Sequence, residues 1–180
     1  PRYAQIALSR AVANMGLGLV QRNQAVEMGY EIAAGRGHQV LWLEAKPSFG
    51  NILVWKTVYQ TQEHFYVDAV RATVLPRVFE GASAARLDVE RDFPWLDHSS
   101  QQARDIERFR WFSNGYVARD TEHENRVIDI RYSMLPDEIA PLWSIELNPQ
   151  AGDQDHVVYR THRDASADSP RRLWQMITGP

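Results

Sequence analysis

The tetrapeptide Asp-Ile-Arg-Tyr at 129–132 sets a carboxylate and a guanidinium two residues apart inside an apolar run. In an extended chain that spacing puts Asp129 and Arg131 on one face, with Ile128, Ile130 and Tyr132 on the other. A charged pair on a covered face must be hydrogen-bonded or hydrated, because an isolated buried charge costs too much. Arg131, or Arg110 from the stretch RFRWFSNGYVARD at 108–120, could hold a carboxylate or phosphate with forked hydrogen bonds. The alternative, and the commoner use of such residues, is a structural ion-pair network that fixes sheet register. Lys56, Asp68, Arg71, Arg108 and Arg110 are the available partners for it.

Other chemistries find little support. The six histidines, at 38, 64, 98, 123, 156 and 162, show neither HxH nor HExxH spacing, so a complete zinc site within the chain is not expected. Asp153, Asp155 and His156 lack the rest of a calcium loop and read as a solvated turn. There is no cysteine, which removes thiolate chemistry and disulfides. GxSxG, GxxxxGK and dinucleotide-binding signatures are missing as well. Arginines and aromatics interleave at 108–119, but a formal charge of -3 and the expected burial of Trp111 argue against a nucleic-acid surface.

The elements that would position these residues follow from periodicity. Leu8, Val12, Met15, Leu19, Val26, Tyr30 and Ala33 form an apolar stripe that predicts one long helix over the first 38 residues and marks its core-facing side. Gly16 and Gly18 are a place for a kink, and Gly35 and Gly37 supply stop signals. From residue 39 the period becomes alternating, and strands are predicted at 39–45, 52–60 and 64–74, the last two as an antiparallel hairpin. Residues 76–98 lack a period and read as a long excursion with a short helical turn, packing Phe79, Phe93 and Trp95 over the core edge or serving as a ligand lid. Ser99 and Gln102 fit a capping box for a helix over 100–111 with Ala103, Ile106 and Phe109 inward, and Trp111 and Phe112 packing at its end. Asn114 and Gly115 then form a turn able to accept positive φ. Strands follow at 115–120, 124–134, 141–148 and 156–162, the last at an edge, and a terminal helix starts with Ser169 as N-cap and Pro170 first. With 180 residues and short links, one α+β domain is expected, its helices packed on a curved antiparallel sheet in a roll of the cystatin or NTF2 type.

Five stretches carry a resemblance: RGH at 36–38, KPSFGNILVW at 46–55, YVDAVR at 66–71, RFRWFSNGY at 108–116 and DIRYSMLP at 129–136. In order and spacing they resemble the carboxy-terminal half of the YdjM-like inner-membrane family of predicted membrane-bound metal-dependent hydrolases, over residues 20–148. The resemblance implies that the His- and Asp-rich metal motifs lie in an amino-terminal membrane portion, so no family metal ligand maps onto this chain. A divalent metal would belong to that portion, and the membrane to the longer protein. The opening Pro1 and the lack of an apolar run of about 18 residues fit a soluble piece of such a protein.

Two functional readings result. One is an accessory, substrate-binding domain whose first partner is its own membrane portion; Asn51, Trp55, Arg108, Arg110, Asn114, Asp129 and Arg131 are its ligand-binding candidates, a cavity lined by Asp129, Arg131 and Trp55 its expected form, and a small anion its ligand. The other is a noncatalytic interaction module, with the long helix available for a homodimer.

Overall fold

The computed structural model describes residues 2–163 and 168–179. Among these residues the elements run in the order α1 (Arg2–Gly35), β1 (Trp42–Pro47), β2 (Val54–Gln60), β3 (His64–Arg71), β4 (Arg77–Ala85), α2 (Val89–Asp92), α3 (Gln101–Phe112), β5 (Val117–Arg119), β6 (Arg126–Asp129), β7 (Trp143–Glu146), β8 (Val158–Thr161) and α4 (Ser169–Thr178). The fold is α+β and its strands are antiparallel throughout. They divide into two four-stranded sheets, β1-β2-β3-β4 and β5-β6-β7-β8, each a meander in chain order. The sheets touch at one seam, where an Arg86–Ala118 bridge and the Leu87 amide bound to the Val117 carbonyl at 3.1 Å join their edges.

Strand alternation turns these sheets into layers. Trp55, Thr57 and Tyr59 on β2 share a face with Val70, Asp68 and Tyr66 on β3, and that face lies under α1. Val58, Phe65 and Val67 face the other way and meet Tyr116, Ala118, Ile128 and Ile130 of the second sheet in a shared core. Further along that same face, Val54 and Ala69 pack against Met176 of α4. The outer face of the second sheet, with Val117, Val127 and Ile145, packs on Ile106 and Phe109 of α3 and on Phe93. The resulting order is helix, sheet, sheet, helix. It explains why β2 is buried along nearly its whole length while the edge strand β8 is exposed.

Several sequence expectations are corrected. In α1 the buried residues are Gln21, Ala25, Gly29 and Ala33, whereas Leu8, Val12, Met15, Leu19 and Tyr30 of the expected stripe are exposed. A track of small residues brings the helix close to the sheet; a Cβ on Gly29 would stand 2.9 Å from Leu43 Cδ1. The helix runs unbroken past Gly16 and Gly18 and stops at Gly35, with Gly37 at φ 72°. Within the expected excursion at 76–98, residues 77–85 are strand β4. That strand is mostly exposed and rich in Gly, Ala and Ser, so it shows no period, and its order comes from backbone pairing with β3. The N-cap of α3 is Ser100, which accepts from the Ala103 amide, rather than Ser99. Trp111 is 83% exposed and Phe112 is half exposed, because α3 rests on the sheet through its Ile106–Phe109 side. Strand β3 stops at Arg71, β6 stops at Asp129, and Ser169 is the first residue of α4 with Asp168 before it.

Candidate functional site

The turn between β1 and β2 builds one wall of a small basic notch. Asn51 Oδ1 accepts from the amides of Leu53 and Val54, its Nδ2 donates to Ser48 Oγ at 2.7 Å, and Gly50 takes φ 71° to close the loop. This fixes the register that sets Lys46 directly opposite Lys56, so both amines project from one sheet face. Like charges facing each other repel. Lys46 is neutralised by Glu44 at 2.9 Å and lies 5.4 Å from the ring centre of Tyr132.

Lys56 resolves the conflict differently. It is 4% exposed, and its Nζ donates to Ser133 Oγ and to the Glu138 carbonyl, both at 2.8 Å. Burial pushes its pKa down to about 7, against the opposing pull of Asp129, Asp137 and Glu138. The notch therefore holds an amine that is substantially neutral near neutral pH.

The far wall is the connection from β6 to β7. Asp129 is fully buried and takes both oxygens to Arg131: Nε at 3.0 and 3.1 Å, Nη2 at 2.6 Å. Arg131 Nη2 also donates to the Phe112 carbonyl at 2.9 Å, and the guanidinium lies over the Phe112 and Tyr132 rings. Burial works against this charge, and the Asp129 carboxylate more than offsets it, so the Arg131 pKa is raised. Lys46, Ser48, Lys56, Arg131, Ser133 and Pro136 line a cavity of about 90 Å³ between the walls. Its lining comes from the stretches 46–49 and 131–136 together with Lys56.

A second polar cluster sits under the end of α1. Arg36 holds the fully buried Asp68 through two bonds of 2.7 Å and donates to Tyr59 Oη at 3.1 Å, while His38 Nδ1 lies 2.8 Å from that hydroxyl. Asp68 sits where the β3–β4 register slips, and its Oδ1 also accepts from the Gly81 amide at 3.0 Å. A Cβ on Gly81 would collide with the carbonyl oxygens of Val67 and Asp137, so glycine is required for this approach. Every polar atom of the Asp68 carboxylate is taken up by these bonds, which makes the cluster a tie between helix and sheet.

The sequence-derived candidates disperse. Asp129 and Arg131 form the expected pair, but through a turn rather than along a strand face. Asn51 borders the notch with its side chain committed to the turn. Trp55 lies on the opposite face of β2 beneath α1, with Nε1 bonded to the Ile52 carbonyl, so it cannot share a cavity with Arg131 and Asp129. Arg110 stands 3.3 Å from Glu107 and the exposed Arg108 3.8 Å from Asp105, both on α3. Asn114, at φ 51°, shapes the turn after α3. Of the other named partners, Asp68 pairs with Arg36 rather than Arg131, and Arg71 donates to the Gly179 carbonyl. Lys46, Ser48 and Ser133 were not among the candidates; the available signal was Lys56 itself, a lysine in the middle of the apolar run ILVWKTV.

Two alternative centres are closed by their own contacts. A cleft of about 480 Å³ contains Arg126, which is already held by Asp120 and Glu146, the latter at 2.6 Å. Ser144 Oγ lies 2.8 Å from His162 Nε2, but Ser144 is fully buried within β7. Among the described residues no group of three or more His, Cys, Asp or Glu side chains could hold a metal ion, and no helix is long and apolar enough to cross a membrane. No family model, curated protein or solved structure matches this chain.

Proposed function

We infer that this chain is a binding domain for a small anionic ligand, acting as the accessory, substrate-binding part of a membrane-bound metal-dependent hydrolase. The observation that carries this reading is the notch itself, with Lys46, Lys56 and Arg131 converging from two sheets on one cavity. Arg131 Nη1 donates to no described residue and is the guanidinium edge left for a ligand oxygen, with Lys46, ion-paired to Glu44, as a second donor beside it. The hydrolase context rests on the family resemblance. On that resemblance the divalent metal belongs to the membrane portion, and the role proposed for this chain is recognition.

Ligand binding to the folded state raises the melting temperature by mass action. Inorganic phosphate and acetate are expected to raise it in a concentration-dependent way, and Lys46→Ala, which removes a partly exposed charge without opening the core, is expected to weaken the effect. Equal shifts in wild type and Lys46→Ala would place the anion elsewhere. The saturation of most Arg131 donors by Asp129 and Phe112 favours the second reading, a noncatalytic interaction module with a structural ion pair. Absence of any anion-dependent shift would select it.

A further inference from the structure

The geometry points to Ser133 and Lys56 as a nucleophile and general-base pair, which would give this domain an acyl-transfer activity of its own on small anionic esters. The inference rests on the reading of the notch as an anion site and adds chemistry to it. Ser133 lies in the irregular connection after β6, so its backbone is not committed to a strand. Its Oγ is 2.8 Å from Lys56 Nζ, within range for direct proton transfer, and both residues line the same cavity. The Glu138 carbonyl accepts a second bond from Nζ, which anchors the amine and leaves its remaining electron pair, once deprotonated, to face Oγ. Ser133 Oγ accepts from Nζ and donates to the Leu135 carbonyl, so its proton must turn from that carbonyl to the neutral amine before transfer. The amide of Ser133 donates to no described residue and is a free donor for a developing oxyanion.

A lysine can act as a base only when neutral, and the burial that lowers the Lys56 pKa to about 7 provides that state near neutral pH. The charged groups facing it are Lys46 from β1, Asp129 at the end of β6, and Arg131, Asp137 and Glu138 from the β6–β7 connection. In the first half-reaction Ser133 Oγ bonds to the acyl carbon, the bond to the leaving alkoxide breaks, and the serine proton passes through Lys56 Nζ to that alkoxide. In the second, water attacks the acyl-serine and gives its proton to Lys56. The Oγ–acyl bond breaks, the acid departs and the serine proton returns. A cavity of about 90 Å³ admits an acetyl- or phosphate-sized group at the serine, with the rest of the substrate outside.

A fluorophosphonate tests the pair directly, because its phosphorus takes the place of the acyl carbon and fluoride leaves. Intact-mass measurement and peptide mapping from about pH 6 to about pH 9 are expected to show one adduct, on Ser133. Its rate should rise with pH up to about 7 and then level off as Lys56 becomes neutral. Ser133→Ala should abolish the adduct, and Lys56→Met, close in shape, should slow it by about 100-fold or more. The wild-type pH profile needs no variant to fold. No adduct on Ser133, or a rate unchanged in Lys56→Met, overturns the proposal. Inorganic phosphate in the same reaction separates the two readings. Labelling with the Lys56 profile but without phosphate protection keeps the pair and removes the anion site. Phosphate stabilisation without labelling keeps the anion site and removes the pair.

Discussion

At the scale of single residues, Lys56 is the most consequential side chain in the molecule, because one amine is asked both to sit in a core and to face a cavity. Its depressed pKa ties stability to pH with a definite sign. Below about pH 7 it is protonated in the folded and unfolded chains alike, and the buried charge is a constant penalty. Between about 7 and the ordinary 10.5 the unfolded chain holds a proton that the folded chain has released, so raising the pH favours folding. The slope is about 1.4 kcal/mol per pH unit. Tyr59 works in the opposite sense at higher pH, since burial raises its pKa and it keeps a proton that the unfolded chain loses above about 10. Urea midpoints from about pH 7 to about pH 9 should show wild type gaining about 2 kcal/mol relative to Lys56→Met. Parallel pH curves for the two proteins would mean that Lys56 stays charged in the fold and is unable to act as a base.

At the scale of elements, α1 divides into a docked half and a free half. Residues 2–17 are all exposed, and the contact with the first sheet begins at Gln21, whose side chain donates to the Ala72 carbonyl at 3.2 Å. Deleting residues 2–17 removes no buried residue and should move the melting temperature by less than about 2 °C. A much larger loss would mean that the apolar side around Leu8, Val12 and Met15 is covered in solution. The helix also shows what a sequence can and cannot convey. Its periodic Leu, Val and Met residues suggest a buried stripe, yet the face that docks carries Ala25, Gly29 and Ala33, because close approach to a sheet rewards small side chains over large ones. Strands β2 and β3 were legible because β-branched and aromatic residues alternate there. Strand β4 was not, because Gly81 is selected by backbone proximity to Val67 and Asp137, a tertiary constraint without a local signature. The notch was half legible for the same reason. Asp129 and Arg131 are sequence neighbours, whereas Lys56 and Ser133 meet only after two sheets have stacked.

At the scale of the whole molecule, the question is whether two sheets joined at one seam behave as one body. Their facing sides share a single core, with Val58, Phe65, Val67 and Ala84 from one sheet and Tyr116, Ala118, Ile128 and Ile130 from the other. The polar ties run the same way: Lys56 of the first sheet holds Ser133 and Glu138 of the second sheet's connection. The carboxy-terminal helix closes the circuit. Arg172 of α4 binds Asp137 and Glu138, while Met176 packs on Val54 and Ala69 of the first sheet. Separating the sheets would expose that shared core to water, a cost that neither half recovers alone. The chain should therefore unfold in one transition. Far-UV circular dichroism and tryptophan fluorescence should give coincident curves, and the calorimetric enthalpy should equal the van't Hoff value. Trp55 reports on the first sheet and Trp143 on the second, so two separated fluorescence transitions would show that the sheets are independent domains and that the notch between them opens before either unfolds.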